Sequence, residues 1–239
     1  MADGIYVGMA AAAARAEQLD SIADNLANAE TPGFKSSHPA FQSFLPRGAS
    51  ATSDKVATAA VDTGTNMARG TVVTTENPLD VLPQDDAFLT VRTATGPAYT
   101  RNGRLTISPD GFLISAGRLV MGTSGNPIQI PPGVVPTINE RGAVMVDQVE
   151  VDRLALFNFQ GNGAVAHIGP SLYGPGPGGA VVPAPDLGVS VGQLEMGNST
   201  PLEATVAMIG AQRQFETAMQ AIQTYRRLDD RVVEVGKVR

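Results

Sequence analysis

Apolar residues recur at alternating spacings of three and four at both ends of this chain and in short alternating runs between them. That pattern predicts a helix, a β-rich middle and a second helix. In the first segment Ile5, Met9, Ala12, Ala16, Leu19, Ala23 and Leu26 lie on one stripe of a helix, and Ile22 stands beside them. Asp3 is placed to cap its start, and a run from there to Asn28 would extend roughly 37 Å at about 1.5 Å per residue. Thr31-Pro32-Gly33 ends it: proline pushes the residue before it out of helical geometry, and glycine accepts the positive φ of a type II turn.

The second helix starts at Thr200-Pro201-Leu202-Glu203, with Thr200 as N-cap, Pro201 as first helical residue and Glu203 as capping-box partner. Thr205, Met208, Gln212, Phe215, Met219 and Ile222 continue the heptad-like stripe, widened near its start by Leu202, Val206 and Ile209. The stripe breaks at Arg226. Two amphipathic helices at opposite ends can close a bundle within one monomer, or their seams can be buried by neighbouring copies. The second arrangement suits seams too long for the intervening domain to cover.

Between the helices, Pro46 to Asn66 is rich in small residues without a sustained period and reads as an extended arm or connector. Strands are expected at Thr71 to Thr75, Phe88 to Thr93, Arg104 to Ile107, Phe112 to Ile114, Arg118 to Met121, Val144 to Val146 and Leu154 to Phe159. Thr95-Gly96-Pro97, Arg101-Asn102-Gly103 and Ser108-Pro109-Asp110-Gly111 read as reversals between them. Gly174 to Pro185 reads as a second loop-rich tract. The expected fold is α+β: long terminal helices forming a coiled-coil-like assembly domain (1–35 and 188–239), a connector (36–76) and a central domain of β-hairpins (77–187).

Composition supports this division. The chain has 26 Gly and 17 Pro among 239 residues with 17% charged residues, a mix suited to tight turns and short strands. It has no cysteine, so no disulfide or thiolate chemistry is available. A net charge of -6 without a dense basic stripe argues against a nucleic-acid partner. Met1 to Ala14 lacks the basic opening and continuous apolar core of a cleavable secretory signal, so these residues should stay in the mature chain. No stretch reaches the roughly 20 apolar residues needed to cross a bilayer.

Ile22-Ala23-Asp24-Asn25-Leu26-Ala27-Asn28-Ala29-Glu30-Thr31-Pro32-Gly33-Phe34-Lys35 resembles the N-terminal signature of the flagellar axial proteins, in particular the basal-body rod proteins. Asn77-Pro78-Leu79-Asp80-Val81 resembles the start of that family's β domain, Tyr99-Thr100-Arg101-Asn102-Gly103 its central hairpin, and Gly192-Gln193-Leu194-Glu195 the return to its last helix. Met208-Ile209 with Gln212-Arg213-Gln214-Phe215-Glu216 completes the order. The compact length is closest to the proximal-rod type, with distal-rod and hook proteins as paralogues. Leu82 to Phe88 departs from the pattern at Pro83 to Ala87, where relatives carry glycine and an aromatic pair.

The resemblance implies a structural subunit of a helical tube, the drive shaft and export channel crossing the periplasm, reached by type III export without a cleavable signal. Its implied partners are copies of itself, other rod proteins and surrounding ring components. The assembly residues expected on this basis are Ile5, Met9, Leu19, Ile22 and Leu26, with Met208, Phe215, Met219 and Ile222. Asn25 and Asn28 could bond helix-end carbonyls or a neighbour, Thr31, Pro32, Gly33 and Phe34 form the turn, and Thr200 and Glu203 cap the second helix. Arg226, Arg227, Arg231, Lys237 and Arg239 could face the channel or partners, or serve the helix dipole and water.

A catalytic reading finds few parts. His38 and His167 lack close His or Cys partners and read as surface or turn residues, and Asp85-Asp86 and Asp147, Glu150 and Asp152 fit no cation loop. No metal, cofactor or small-molecule substrate is expected. A rival of another class is a scaffold whose helices bind a membrane surface, which needs a basic polar face. The first helix offers Arg15 against Glu17, Asp20 and Asp24.

Overall fold

Helix α1 (Ala2–Ala27) and helix α2 (Pro201–Gly236) bracket a run of strands in the computed structural model, as the two periodicities predict. The structure describes residues 2–44, 57–161 and 165–236, with side chains over 8–38, 64–161 and 165–228. The chain divides into two units. One holds α1, residues 37–64 and α2; the other holds residues 28–36 and 65–199.

In the helical unit α1 packs along α2. The segment expected to be an extended arm or connector carries two strands, β1 (Ser37–Phe44) and β2 (Ala57–Thr65), which form a two-stranded sheet. β2 is rich in threonine and alanine, too weakly apolar to announce a strand by periodicity, and its conformation is supplied by pairing with β1. Residues 45–56 of the proposed connector lie outside the described residues.

The β-rich unit contains β3 (Val72–Thr74), β4 (Val81–Pro83), β5 (Phe88–Thr93), β6 (Gly96–Thr100), β7 (Leu105–Ile107), β8 (Leu113–Ser115) and β9 (Arg118–Val120). β10 (Thr137–Ile138), β11 (Ala143–Val146), β12 (Val149–Arg153), β13 (Leu156–Gln160) and β14 (Val165–Gly169) follow. β15 (Leu172–Pro175), β16 (Ala180–Pro183), β17 (Val189–Val191) and β18 (Gln193–Glu195) complete it. The largest sheet runs β14-β15-β6-β5-β9-β8-β7, and β13 joins β5 to β16. β10-β11-β12 form a meander, while β17 pairs β4 and β18 pairs β3. Leu89, Val91, Leu105, Leu113, Val120, Val144 and Leu154 share one buried core, each worth about 1.5–3 kcal/mol of apolar burial.

β5 has the expected span, and Ser108 to Gly111 turns β7 into β8 with Gly111 at φ 81°. Two expectations are corrected. Arg101-Asn102-Gly103 is no hairpin turn: β6 and β7 are not neighbours, and the three residues form a buried link between them. A Cβ on Gly103 would stand 1.5 Å from the Val81 carbonyl oxygen, so glycine is needed there for close backbone approach and not for a reversal. The loop-rich tract contains β16, which tolerates Pro183 because it pairs β13 alone.

Candidate functional site

The inward line of α2 is Ala204, Met208, Ala211, Phe215, Ala218 and Ile222, buried or half-buried at spacings of four and three. It lies one residue to the side of the expected line at 205, 212 and 219. On α1, Ala12, Ser21, Ile22 and Asn25 are buried while Leu19 and Leu26 are half-buried. Small residues bring the helices close: a Cβ on Gly8 would lie 2.8 Å from Ile222 Cγ1. Ile5 is in α1, and its side chain lies outside those described.

Other apolar positions stay outside this contact. Met9 is 51% exposed, Met219 38%, and Leu202, Val206 and Ile209 are 75%, 64% and 49% exposed. The last three recur at four and three residues, so they form one outward ridge along the first turns of α2. Arg226 and Arg227 are exposed, the Arg231 side chain lies outside those described, and Lys237 and Arg239 lie outside the described residues.

Asn25 does something other than cap a helix end. Its Nδ2 donates to the Ser37 carbonyl at 2.8 Å and its Oδ1 accepts from Ser37 N–H at 2.9 Å. Ser21 Oγ donates to the same carbonyl at 2.8 Å. Thus two α1 side chains satisfy the backbone of the half-buried first residue of β1. At the far helix, Glu203 N–H donates to Thr200 Oγ1 at 3.3 Å, and that hydroxyl donates to Glu203 Oε2 at 2.7 Å. The capping pair forms, with the glutamate taking the hydroxyl.

The turn after α1 belongs to the β-rich unit. Thr31 N–H donates to Asn28 O at 2.9 Å, Pro32 and Phe34 are buried, and Gly33 adopts φ 71°. A Cβ on Gly33 would stand 2.2 Å from the Arg101 carbonyl carbon and Asn102 nitrogen. Tyr173 Oη clamps this turn, accepting from Lys35 N–H at 2.7 Å and donating to Gly33 O at 3.1 Å. His167 is no turn residue: it sits in β14, its ring 4.9 Å from Tyr173 and 5.8 Å from Phe34. His38 is exposed in β1.

This packing brings three of the motifs together at a buried charged junction. Lys35 Nζ donates to Glu195 Oε1 at 2.5 Å and to Ala68 O at 2.8 Å. Arg101 reaches Glu195 Oε2 through Nε and Nη2, each at 2.7 Å, and its Nη1 donates to Ala87 O at 2.8 Å. Gly70 N–H adds a bond to Oε1 at 2.9 Å. All three side chains are almost wholly enclosed. The divergent 83–87 loop borders this junction, its Pro83 and Ala87 carbonyls facing the Arg101 guanidinium.

Burying three charges is costly unless each is paired and hydrogen-bonded. Here both carboxylate oxygens have two donors, and each cation has a backbone acceptor besides. Burial pushes the Glu195 carboxyl up, but Arg101 and Lys35 more than offset this and hold it below the usual carboxylate range. Burial lowers the Lys35 ammonium, against the pull of Glu195. Burial likewise pushes the Tyr173 phenol up, so it stays neutral and able to donate.

The sequence shows Lys35, Arg101 and Glu195 only as members of separate motifs, not as a site, and does not mark Tyr173. The available signal was a charge embedded in each of three glycine-containing motifs. Asn198 ties two further segments together: its Oδ1 accepts from Ser36 N–H at 2.6 Å, and its Nδ2 donates to Asn66 O at 2.7 Å. Among the described residues no cluster of metal-ligating side chains occurs.

Residues 5–35 match the family model described as flagella basal body rod protein. Residues 190–235 match the model of the flagellar basal body rod FlgEFG protein C-terminal region. The chain is 35% identical to the flagellar basal-body rod protein FlgF of Salmonella typhimurium, over 93% of each. It is 32% identical to the protein of that name in Mesorhizobium japonicum, over 99% of each. The Bacillus subtilis flagellar basal-body rod protein FlgG is 27% identical over 94% of this chain and 95% of that one. With identity above 30% sustained over nearly its whole length, the chain belongs to the flagellar basal-body rod protein family and is a structural subunit of the basal body, not an enzyme.

Proposed function

We propose that the chain is a proximal-rod subunit whose terminal helices pack against copies of itself and other rod proteins in a helical tube within the periplasm, reached by export without a cleavable signal. The observation that carries this reading is the outward ridge of Leu202, Val206 and Ile209, with Met9 and Met219 also exposed. The contact between α1 and α2 covers one line of each helix and leaves this second apolar line, which a neighbouring helix can bury in coiled-coil fashion. Head-to-tail contacts on such a line build a tube and not a finite ring when their rotation does not close.

Similarity to FlgF proteins, named in three of the relatives at 32–35% identity, favours the proximal position. The charged junction then serves stiffness, since it holds the segment leaving α1 and the segment approaching α2 on one rigid unit. Isolated basal bodies from cells carrying Leu202→Asp with Val206→Asp test the reading. The altered subunit should fold but be missing from the rod, and motility should be lost. Normal incorporation and swimming would contradict it.

A further inference from the structure

The chain has eight methionines, and each except Met1 has a described side chain. Met67, Met121, Met145, Met196 and Met208 are half-buried, whereas Met9 on α1 is 51% exposed and Met219 on α2 is 38% exposed. The two exposed thioethers also lie at one level of the helix pair. A Cβ on Gly8 would stand 2.8 Å from Ile222 Cγ1, so Met9 adjoins the point where the helices touch and Met219 is less than one turn from it. Neither is part of that contact: the inward line of α2 runs through Met208, Phe215 and Ile222, and Met219 stands beside it.

A thioether is an unbranched, polarisable and apolar group, suited to filling the gaps of a helix seam. Oxidation reverses that character. A hydroperoxide gives its terminal oxygen to the sulfur: a sulfur lone pair forms the S–O bond, the O–O bond breaks, and the leaving oxygen takes the proton of the transferred one and departs as water or an alcohol. The sulfur loses two electrons and the peroxide gains them. The sulfoxide oxygen is an acceptor that water satisfies while the site is open, and it is costly to cover in an apolar seam that offers it no donor. Reaction follows exposure of the side chain, so the two methionines available to a neighbouring subunit are also the two that an oxidant reaches first.

We propose that Met9 and Met219 form an oxidation-sensitive site controlling assembly: a hydroperoxide converts them to sulfoxides, the oxidised subunit keeps its fold, and its helices no longer dock in the rod. The inference rests on the assembly reading, because only a neighbouring subunit covers the two sulfurs. Peptide mass spectrometry of the purified full chain during hydrogen peroxide treatment should find both oxidised at least about fivefold faster than Met208, with the helical circular-dichroism signal retained. In isolated basal bodies the same treatment should oxidise them at least about fivefold more slowly than in the free chain. Met9→Gln with Met219→Gln, which sets a polar group at each position, should fold and yet fall at least about tenfold in basal bodies. The single Met219→Gln gives the same readout on a less altered chain. Met9→Leu with Met219→Leu should enter the rod as the natural chain does. Reaction no faster than at Met208, loss of the helical signal on oxidation, unslowed oxidation in basal bodies, or normal incorporation of the glutamine variants would overturn the proposal. Entry of the natural, leucine and glutamine chains alike sinks the oxidation site while leaving rod assembly standing; failure of the natural chain to enter the rod sinks the assembly reading instead.

Discussion

Lys35 and Glu195, separated by 160 positions, meet at 2.5 Å inside the β-rich unit, and Arg101 closes on the other oxygen of the same carboxylate at 2.7 Å. One residue follows the turn after α1, the second ends β18 shortly before α2, and the third lies in the link between β6 and β7. The pairing ties the two chain segments adjoining the helices to a common core. Any motion that separates them must expose or orphan a buried charge.

Glu195→Gln should therefore destabilise the β-rich unit by about 3–5 kcal/mol, because two enclosed cations lose their counter-charge. Denaturant unfolding followed by the near-ultraviolet signal of Tyr99 and Tyr173 measures this. A loss below about 1 kcal/mol would show that the junction tolerates unpaired cations.

The same carboxylate makes the fold acid-sensitive. Its folded pKa lies below that of the unfolded chain, so the folded state binds fewer protons between the two values. Its contribution is complete above the ordinary glutamate value of about 4.3 and is lost as pH falls through the lower folded value. Unfolding midpoints measured between neutral pH and pH 3 should fall more steeply for the natural chain than for Glu195→Gln.

Gly33→Ala combines two costs, a φ of 71° and a Cβ 2.2 Å from the Arg101 and Asn102 backbone. Strain of the first kind alone costs about 1–3 kcal/mol, and the collision forces the turn off the core. Thermal unfolding should show the loss, together with weakened protection of the Lys35 amide in hydrogen exchange.

Substitutions on the two faces of α2 should separate folding from assembly. Ile222→Ala removes a buried side chain from the contact with α1 and should cost about 2–5 kcal/mol of monomer stability. Val206→Ser alters an exposed position, so monomer stability should change by no more than about 0.5 kcal/mol while incorporation into basal bodies falls. Calorimetry of the purified chain, paired with immunoblots of isolated basal bodies, distinguishes the two.

Thr200→Ala removes the acceptor of the Glu203 N–H and should cost about 1 kcal/mol of helix stability. Fraying of the first turn of α2 in hydrogen exchange would register it.

The helices were legible because a period of three and four residues, a Thr-Pro start and a Thr-Pro-Gly stop are local facts that sequence displays directly. β5 was legible for the same reason, its apolar run being bounded by turn residues. β14 and β15, a hairpin that joins the large sheet only through the pairing of β15 with distant β6, escape the sequence reading, and β2 does because threonine and alanine carry little apolar signal. Arg101 to Gly103 misled for a related reason: Asn-Gly is a turn signal, yet here the glycine admits the Val81 carbonyl and the arginine neutralises a buried acid.

Local chemistry thus determined the helix, β-rich middle and helix order, the stop at Pro32 and Gly33, the cap at Thr200, and the motif sequence that marks the family. Tertiary structure alone decided that the α2 line facing α1 runs through Ala204, Ala211 and Ala218, one residue beside the expected Thr205, Gln212 and Met219, while Met208, Phe215 and Ile222 stay on it. It also decided that Lys35, Arg101 and Glu195 share one site. The physical reason is that periodicity reports which residues avoid water, whereas the facing partner, and the cost of leaving a charge unpaired inside, depend on segments that become neighbours only when the chain folds.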